Sequence, residues 1–315
     1  MTAYILRRLA ELIPVLLIAS MLIFGIVYAV PGGPVAVIVG ENAPPEQIAA
    51  VVARLGLDQP LPVQYWRWLV AALGGDLGLS LHSREPVWTL IGQRLPATLQ
   101  LAVVAILFGL LIGIPVAIAS AIRPDGWLDR ALGGWAALAL GVPTFWLGIL
   151  LILLFAVELR LLPAASTYVP VWENPLDMLR YTVLPGLTLG VFVSGVFARF
   201  LRASLVTELR SDYVRTARAK GLKEHQVVAR HVLRNALLPF VTVVGIMLAS
   251  FVGGAVVTEA VFTYPGLGRL IIQAISQRDY PLIQGCVLVV LVIYVLVNLS
   301  VDILYAWIDP RIEYR

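Results

Sequence analysis

A chain of 315 residues that is 60% hydrophobic and 13% charged, with a mean hydropathy of +0.89, excludes a soluble globular domain and predicts a multi-span membrane protein. The net charge of +4 comes from basic residues at helix ends and in one loop, and no aromatic-interleaved basic surface accompanies them, which argues against a nucleic-acid partner. Cys286 is the single cysteine and falls in an apolar stretch, so an intrachain disulfide and a cysteine metal site are both excluded and packing is its expected role.

The N-terminal YILRR precedes about 22 apolar residues, 9–30, which reach roughly 33 Å as a helix and suffice to span a bilayer. PGGP follows at 31–34 in place of a small-residue cleavage pattern, so the stretch is expected to be a retained first helix with its N-terminus inside. Residues 31–94 hold no further spanning run; they predict a moderately amphipathic helix near 45–55 and an aromatic cluster, Tyr65, Trp66 and Trp68, at headgroup level. The first 96 residues thus read as one transmembrane helix plus a periplasmic region.

The remaining core, 97–308, begins with a second span at about 97–122, where Pro115, Gly109 and Gly113 imply packing against neighbouring helices. RPDGWLDR at 123–130 is a short turn with a basic residue at each end, placed inside by the charge rule. A third span, about 133–157, is interrupted by GVPTFWLG at 141–148, and the Pro-containing loop 158–181 returns outside. In the fourth span, about 182–200, Gly186, Gly190 and Ser194 recur every four positions, a spacing that lets helices approach closely.

Residues 202–236 form the longest charged stretch. Arg202, Arg210, Arg215, Arg218, Lys220, Lys223, Arg230 and Arg234 outnumber Glu208, Asp212 and Glu224, which places the loop in the cytoplasm. Ser211 and Asp212 suit an N-cap, Gly221 breaks the first helix and a second period resumes at Glu224. The charge alone is a topology signal; two ordered helices exceed what topology requires. A fifth span (about 237–262), an outer segment (263–283), a sixth span (about 284–308) and a cytoplasmic tail (309–315) complete the chain. With both termini inside, fifteen of the 23 Lys and Arg are cytoplasmic and eight are outside, in keeping with that orientation.

Several chemistries are absent from the sequence. Its only lysines, Lys220 and Lys223, precede Gly221 and Glu224, so there is no phosphate loop. Glu259 and Asp302 lie within about two turns of predicted span ends, where interfacial or packing roles outweigh proton coupling. His82, His225 and His231 form no metal-hydrolase motif, and no G-x-S-x-G elbow occurs. An enzyme is the weaker class; a secondary carrier and a passive structural subunit remain as rivals to a driven transporter.

Four blocks in order carry a family resemblance. GDLGLSLHSREPVWTLIGQRLPATLQL at 75–101, RTARAKG at 215–221 with LLP at 237–239, YPGLGRL and RDYP within 264–281, and the DPR tail resemble the inner-membrane permeases of ABC importers of the dipeptide, oligopeptide and nickel class. Two positions depart: Arg215 stands where the loop motif has Glu, a departure usual for the peptide class, and Gly33 replaces a common Asp. The resemblance implies an all-α membrane protein with the type I importer permease fold. It implies that 202–236 is a coupling loop in which Arg215, Thr216, Ala217, Arg218, Gly221 and His231 engage an ATPase, and that Tyr264, Arg269, Arg278 and Asp279 contact an external binding protein. It further implies a second homologous permease, two cytoplasmic ATPases that carry ATP and Mg, no cofactor in this chain, and a cargo of peptides, with nickel, glutathione or opines as alternatives.

Overall fold

The computed structural model describes residues 2–29 and 57–308, with isolated positions 44, 46, 49, 52 and 53 between. The PGGP segment and the tail 309–315 lie outside the described residues, as does most of the helix expected near 45–55, of which 46, 49, 52 and 53 are described, as helical. The described chain is helical: α1 Thr2–Gly25, α2 Leu61–Leu73, α3 Val87–Ile122, α4 Trp127–Gly141, α5 Thr144–Leu151, α6 Pro175–Leu209, α7 Asp212–Ala219, α8 Glu224–Val227, α9 Leu233–Gly254, α10 Val256–Val261, α11 Leu267–Ser276 and α12 Tyr280–Ile308. Among the described residues the one extended pairing is an isolated bridge between Leu79 and Pro86.

Among the described residues four helical runs are long and apolar enough to cross a membrane: Val87–Ile122, Pro175–Leu209, Glu224–Gly254 and Tyr280–Leu304. Trp127–Gly141 and Thr144–Glu158 make a fifth if the pair, bent by 97°, counts as one span. The six expected spans are thus matched by four or five; the shortfall is α1, whose apolar part is only Ala10–Gly25. The bend has a local cause. Pro143 lacks the N–H that would bond a turn back, and Val142 and Pro143 take extended backbone with ψ of 123° and 131°. The expected fifth span, about 237–262, is also corrected: α9 stops at Gly254, and Ala255 separates it from the short α10.

The chain divides into two compact units. The first comprises 97–268 with the residues from 294 onward. Its interior gathers Leu101, Ala105, Val193, Phe197, Leu201 and Phe240, and the rings of Phe197 and Phe240 meet edge to face at 5.0 Å. Between lipid-embedded helices the hydrophobic effect supplies little drive, so close van der Waals packing must hold them together. Gly190 supplies such an approach: a Cβ there would collide with the Phe108 side chain and lie 3.1 Å from the Ala105 carbonyl oxygen of α3. Gly195, one turn on, lies against Ala136, Ala139 and Leu140 of α4 in the same way. The four-residue spacing of small residues in α6 therefore serves the contact the sequence predicts.

The second unit comprises residues up to 96 with 269–293. Tyr65 and Trp68 pack on Phe24 of α1 at 5.7 and 5.8 Å between centroids, and the Tyr65 hydroxyl shares a 2.8 Å hydrogen bond with Ser20. Two of the three aromatics expected at headgroup level are therefore packed on the first helix, while Trp66 is exposed. GDLGLS earns its glycines through backbone conformation: Gly75 and Gly78 have φ of 87° and 82°, and the Asp76 carboxylate accepts the Gly78 N–H at 2.9 Å. The RDYP segment meets the same turn. Asp279, fully buried, accepts from the Ser80 hydroxyl at 2.5 Å and from the N–H groups of Leu81 and Leu282 at 3.1 and 3.3 Å.

Candidate coupling site

Residues 210–236 leave α6 at Arg210, turn at Ser211 and form α7, a Gly221 turn, and α8. Ser211 occupies the N-cap position, yet its hydroxyl donates to the Glu208 carbonyl at 2.6 Å and caps nothing; Asp212 in the first turn supplies the favourable negative charge there. Alternation along α7 splits it into two faces. Val214 and Ala217 are buried and join the core with Leu201, Leu205, Val227 and Val232, whereas Arg215, Thr216 and Arg218 are exposed. The apolar pair fixes α7 to the bundle, leaving a short basic face outward.

Intramolecular pairs hold that face in place. Arg215 pairs with Asp212, and Arg218 reaches across the turn to Glu224, with Nη2 at 2.6 Å from Oε1 and Nε at 3.1 Å from Oε2. The Glu224 carboxylate, through this hydrogen bond, holds the Arg218 guanidinium above its ordinary value. With side chains 42% and 51% exposed, such a pair contributes about 0–1 kcal/mol to stability. Its effect is to fix the geometry of two helices around Gly221, whose φ of 80° is the left-handed turn that ends α7.

Of the six residues expected to engage an ATPase, Arg215, Thr216, Arg218 and Gly221 lie together on the exposed side of this corner. Ala217 does not. It faces the core and mounts the helix, a correction to the expectation that it takes part in contact. His231 is exposed on a π-helical turn, Val228–Val232, between α8 and α9. Arg202, counted by charge with this loop, belongs to α6 and lies outside it: its Nε and Nη2 donate to the two carboxylate oxygens of Asp129 at 2.7 and 2.5 Å.

The outer segment brings a second correction. Tyr264 and Asp279 are fully buried and so present no surface to a partner, while Arg278 is exposed and Arg269 half-buried. The reason lies in the internal bonds already described for Asp279 and, for Tyr264, in the packing that surrounds Glu259. Glu259 is itself fully buried, with Oε1 accepting from the Thr98 hydroxyl at 2.7 Å. Thr98 in turn accepts the Leu267 N–H at 2.8 Å, and the Tyr264 N–H donates to the Glu259 carbonyl at 2.8 Å. A Cβ on Gly266 would occupy the space of the Glu259 carboxylate. The Gly266 position of YPGLG is therefore shaped around this acid, a packing role in line with the one read from the sequence.

Comparison with known proteins follows the same lines. Residues 109–314 match the family described as the binding-protein-dependent transport system inner membrane component, and residues 1–102 match the N-terminal region of such membrane components. The chain belongs to this family. Among its relatives, the glutathione transport system permease protein GsiC of Salmonella paratyphi A is 44% identical over 315 residues, covering 100% of both chains. A putative peptide transport system permease protein of Brucella abortus is 42% identical over 314 residues, again covering 100% of both. A solved structure of the MetNI methionine ABC transporter in an inward-facing conformation aligns with a TM-score of 0.59 at 20% identity, covering 70% of this chain and 96% of that one. At that identity the likeness shows the fold alone. The permease is thus a multi-pass inner-membrane transport component with the helical fold of an ABC importer permease.

Sequence reasoning missed the partners that make these sites. Thr98 and Glu259 are 161 positions apart, and Asp129 and Arg202 are 73 apart. No local spacing links either pair. The one available signal was Asp129 itself, an acid in the RPDGWLDR turn just before the expected third span, which the structure puts in the first turn of α4.

Proposed function

We propose that this permease is the transmembrane subunit of an ATP-driven importer and that α7 with the Gly221 turn is where a cytoplasmic ATPase docks. The observation that carries the reading is the division of α7: Val214 and Ala217 are sunk in the core while Arg215, Thr216 and Arg218 are exposed beside it. A helix anchored in this way passes an external push to α6 and α9 without needing to bend. In the proposed complex both termini are cytoplasmic, six helices span the membrane, a second homologous permease completes the pathway, and two ATPases hold ATP and Mg. A binding protein outside delivers cargo. Arg278 is the exposed one among Tyr264, Arg269, Arg278 and Asp279 and the candidate contact for it; ATP closure of the ATPases moves α7, and the bundle switches access. The relatives' names favour short peptides, glutathione included, over nickel or opines as cargo.

Charge reversal tests the docking role. The double variant Arg215→Glu/Arg218→Glu inserts normally, because both side chains are exposed, but is expected to lose most of the ATPase that co-purifies with the wild-type chain. Undiminished co-purification would remove α7 as the docking element.

A further inference from the structure

Away from the coupling corner, one buried polar cluster is used by nothing described so far. At the cytoplasmic end of the first unit Asp129, 8% exposed, lies in the first turn of α4. Its Oδ1 accepts from Arg202 Nε at 2.7 Å and from the Ser120 hydroxyl; its Oδ2 accepts from Arg202 Nη2 at 2.5 Å and from the Asp125 N–H at 2.9 Å. Arg202 Nε also reaches Ser120 Oγ at 2.9 Å. Both carboxylate oxygens are fully engaged, and the guanidinium binds them side-on through two nitrogens, the arrangement that gives an arginine pair its geometric definition.

The cluster joins three pieces of chain. Ser120 is in the last turn of α3, Asp125 holds the RPDG turn with a φ of 67°, and Arg202 stands on α6. Helix α6 continues unbroken to Leu209, and α7 begins at Asp212, so about 10 Å of helix separates Arg202 from the end of α6 at the coupling corner. Leu201 and Leu205, beside Arg202 on α6, pack in one core with Val214 and Ala217 of α7. On the α4 side, Asp129 starts the helix that Gly195 holds against α6 and that ends at the 97° bend. The cluster is therefore the polar link between the helix that leaves the coupling corner and the helix that leads to the bend.

We propose that Arg202, Asp129 and Ser120 are positioning residues for transport: they lock the cytoplasmic end of α4 to α6, so that displacement of α7 turns the α4–α5 bend with it. The proposal rests on the docking role of α7 and adds to it the path by which motion leaves that helix. Two apolar helices sliding past one another would absorb a small displacement in side-chain adjustments. A bidentate pair with both oxygens filled has less slack: a shift breaks several hydrogen bonds of the Asp129 carboxylate at once, although the Arg202 side chain, 34% exposed, keeps some contact with solvent.

The test uses the complete transporter in proteoliposomes, with the binding protein preloaded with a mixture of glutathione and dialanine. Asp129→Asn/Arg202→Gln keeps a hydrogen-bonded pair of similar shape and leaves no unpaired charge, so assembly with the ATPases and basal hydrolysis are expected to match wild type. Stimulation of hydrolysis by the loaded binding protein is expected to fall on the order of tenfold. Stimulation within about twofold of wild type in the assembled variant would overturn the proposal, as would a parallel loss of basal and stimulated rates, which is what a purely structural role gives. Should the double variant not assemble, Ser120→Ala removes only the two hydrogen bonds of one hydroxyl, that to Asp129 and that from Arg202, and leaves the ion pair in place; reduced stimulation with normal assembly supports the link and unchanged stimulation refutes it. A wild-type assembly that hydrolyses ATP with no response to the loaded protein would remove the importer reading first, and this inference with it.

Discussion

Glu259 shows how a single buried acid accounts for a stretch of motif. The sequence offers the acid, near the end of an apolar run, and the glycines of YPGLG downstream, without any sign that they belong together. In the fold Gly266 lies against the carboxylate and Thr98 donates to it at 2.7 Å. Thr98→Val keeps the shape and removes the donor. We expect a loss of roughly 0.5–1.5 kcal/mol for the buried hydrogen bond removed, seen as a lower thermal midpoint of the detergent-solubilised chain; an unchanged midpoint would mean that the hydroxyl contributes nothing there. The role of the acid as a packing group was legible in its position near a span end. Its partner was not, since hydrogen bonds between residues 161 apart leave no periodic trace.

At the scale of elements, hydrophobic length and small-residue spacing located most helices, and departures occur where backbone chemistry overrides hydropathy. The apolar run through 133–157 continues across Val142 and Pro143, yet the chain turns by 97° there. A hydropathy window does not register the missing N–H of a proline; the GVPT interruption was the visible signal, and only its angle was hidden. The Gly221 turn was read correctly because its cue is local. Open space surrounds that position, so a side chain meets no neighbour, and the constraint is the φ of 80° alone. Gly221→Asn should therefore retain ATPase co-purification, while Gly221→Val, which resists the left-handed region at a cost of about 1–2 kcal/mol, should reduce it. Equal co-purification by the two would show that the turn's conformation is not what docking requires.

For the whole molecule, the central point is a division of labour. One short helix, α7, is fixed to the first unit's core by Val214 and Ala217 and exposes Arg215 and Arg218; behind it α6 carries the Asp129–Arg202 link toward the bend in the third span. The membrane class and the helix–turn–helix form of 212–227 were readable because composition and local turn residues report them. The inward turn of Ala217, Tyr264 and Asp279 was not, because a motif marks which residues matter and is silent on which side of the surface they lie. Family membership and the fold come from the comparisons; the proposed ATPase partner rests on α7, and the proposed cargo on the names of the relatives.

The most direct test is ATP hydrolysis by the chain reconstituted in lipid with its second permease and ATPases, measured with and without binding protein loaded with glutathione or dipeptides. The account predicts that the loaded protein stimulates hydrolysis, that labelled cargo accumulates only with ATP, and that Arg215→Glu/Arg218→Glu abolishes both. Failure of any ATPase to associate with the wild-type chain, or uptake that proceeds on an ion gradient without ATP, would contradict it.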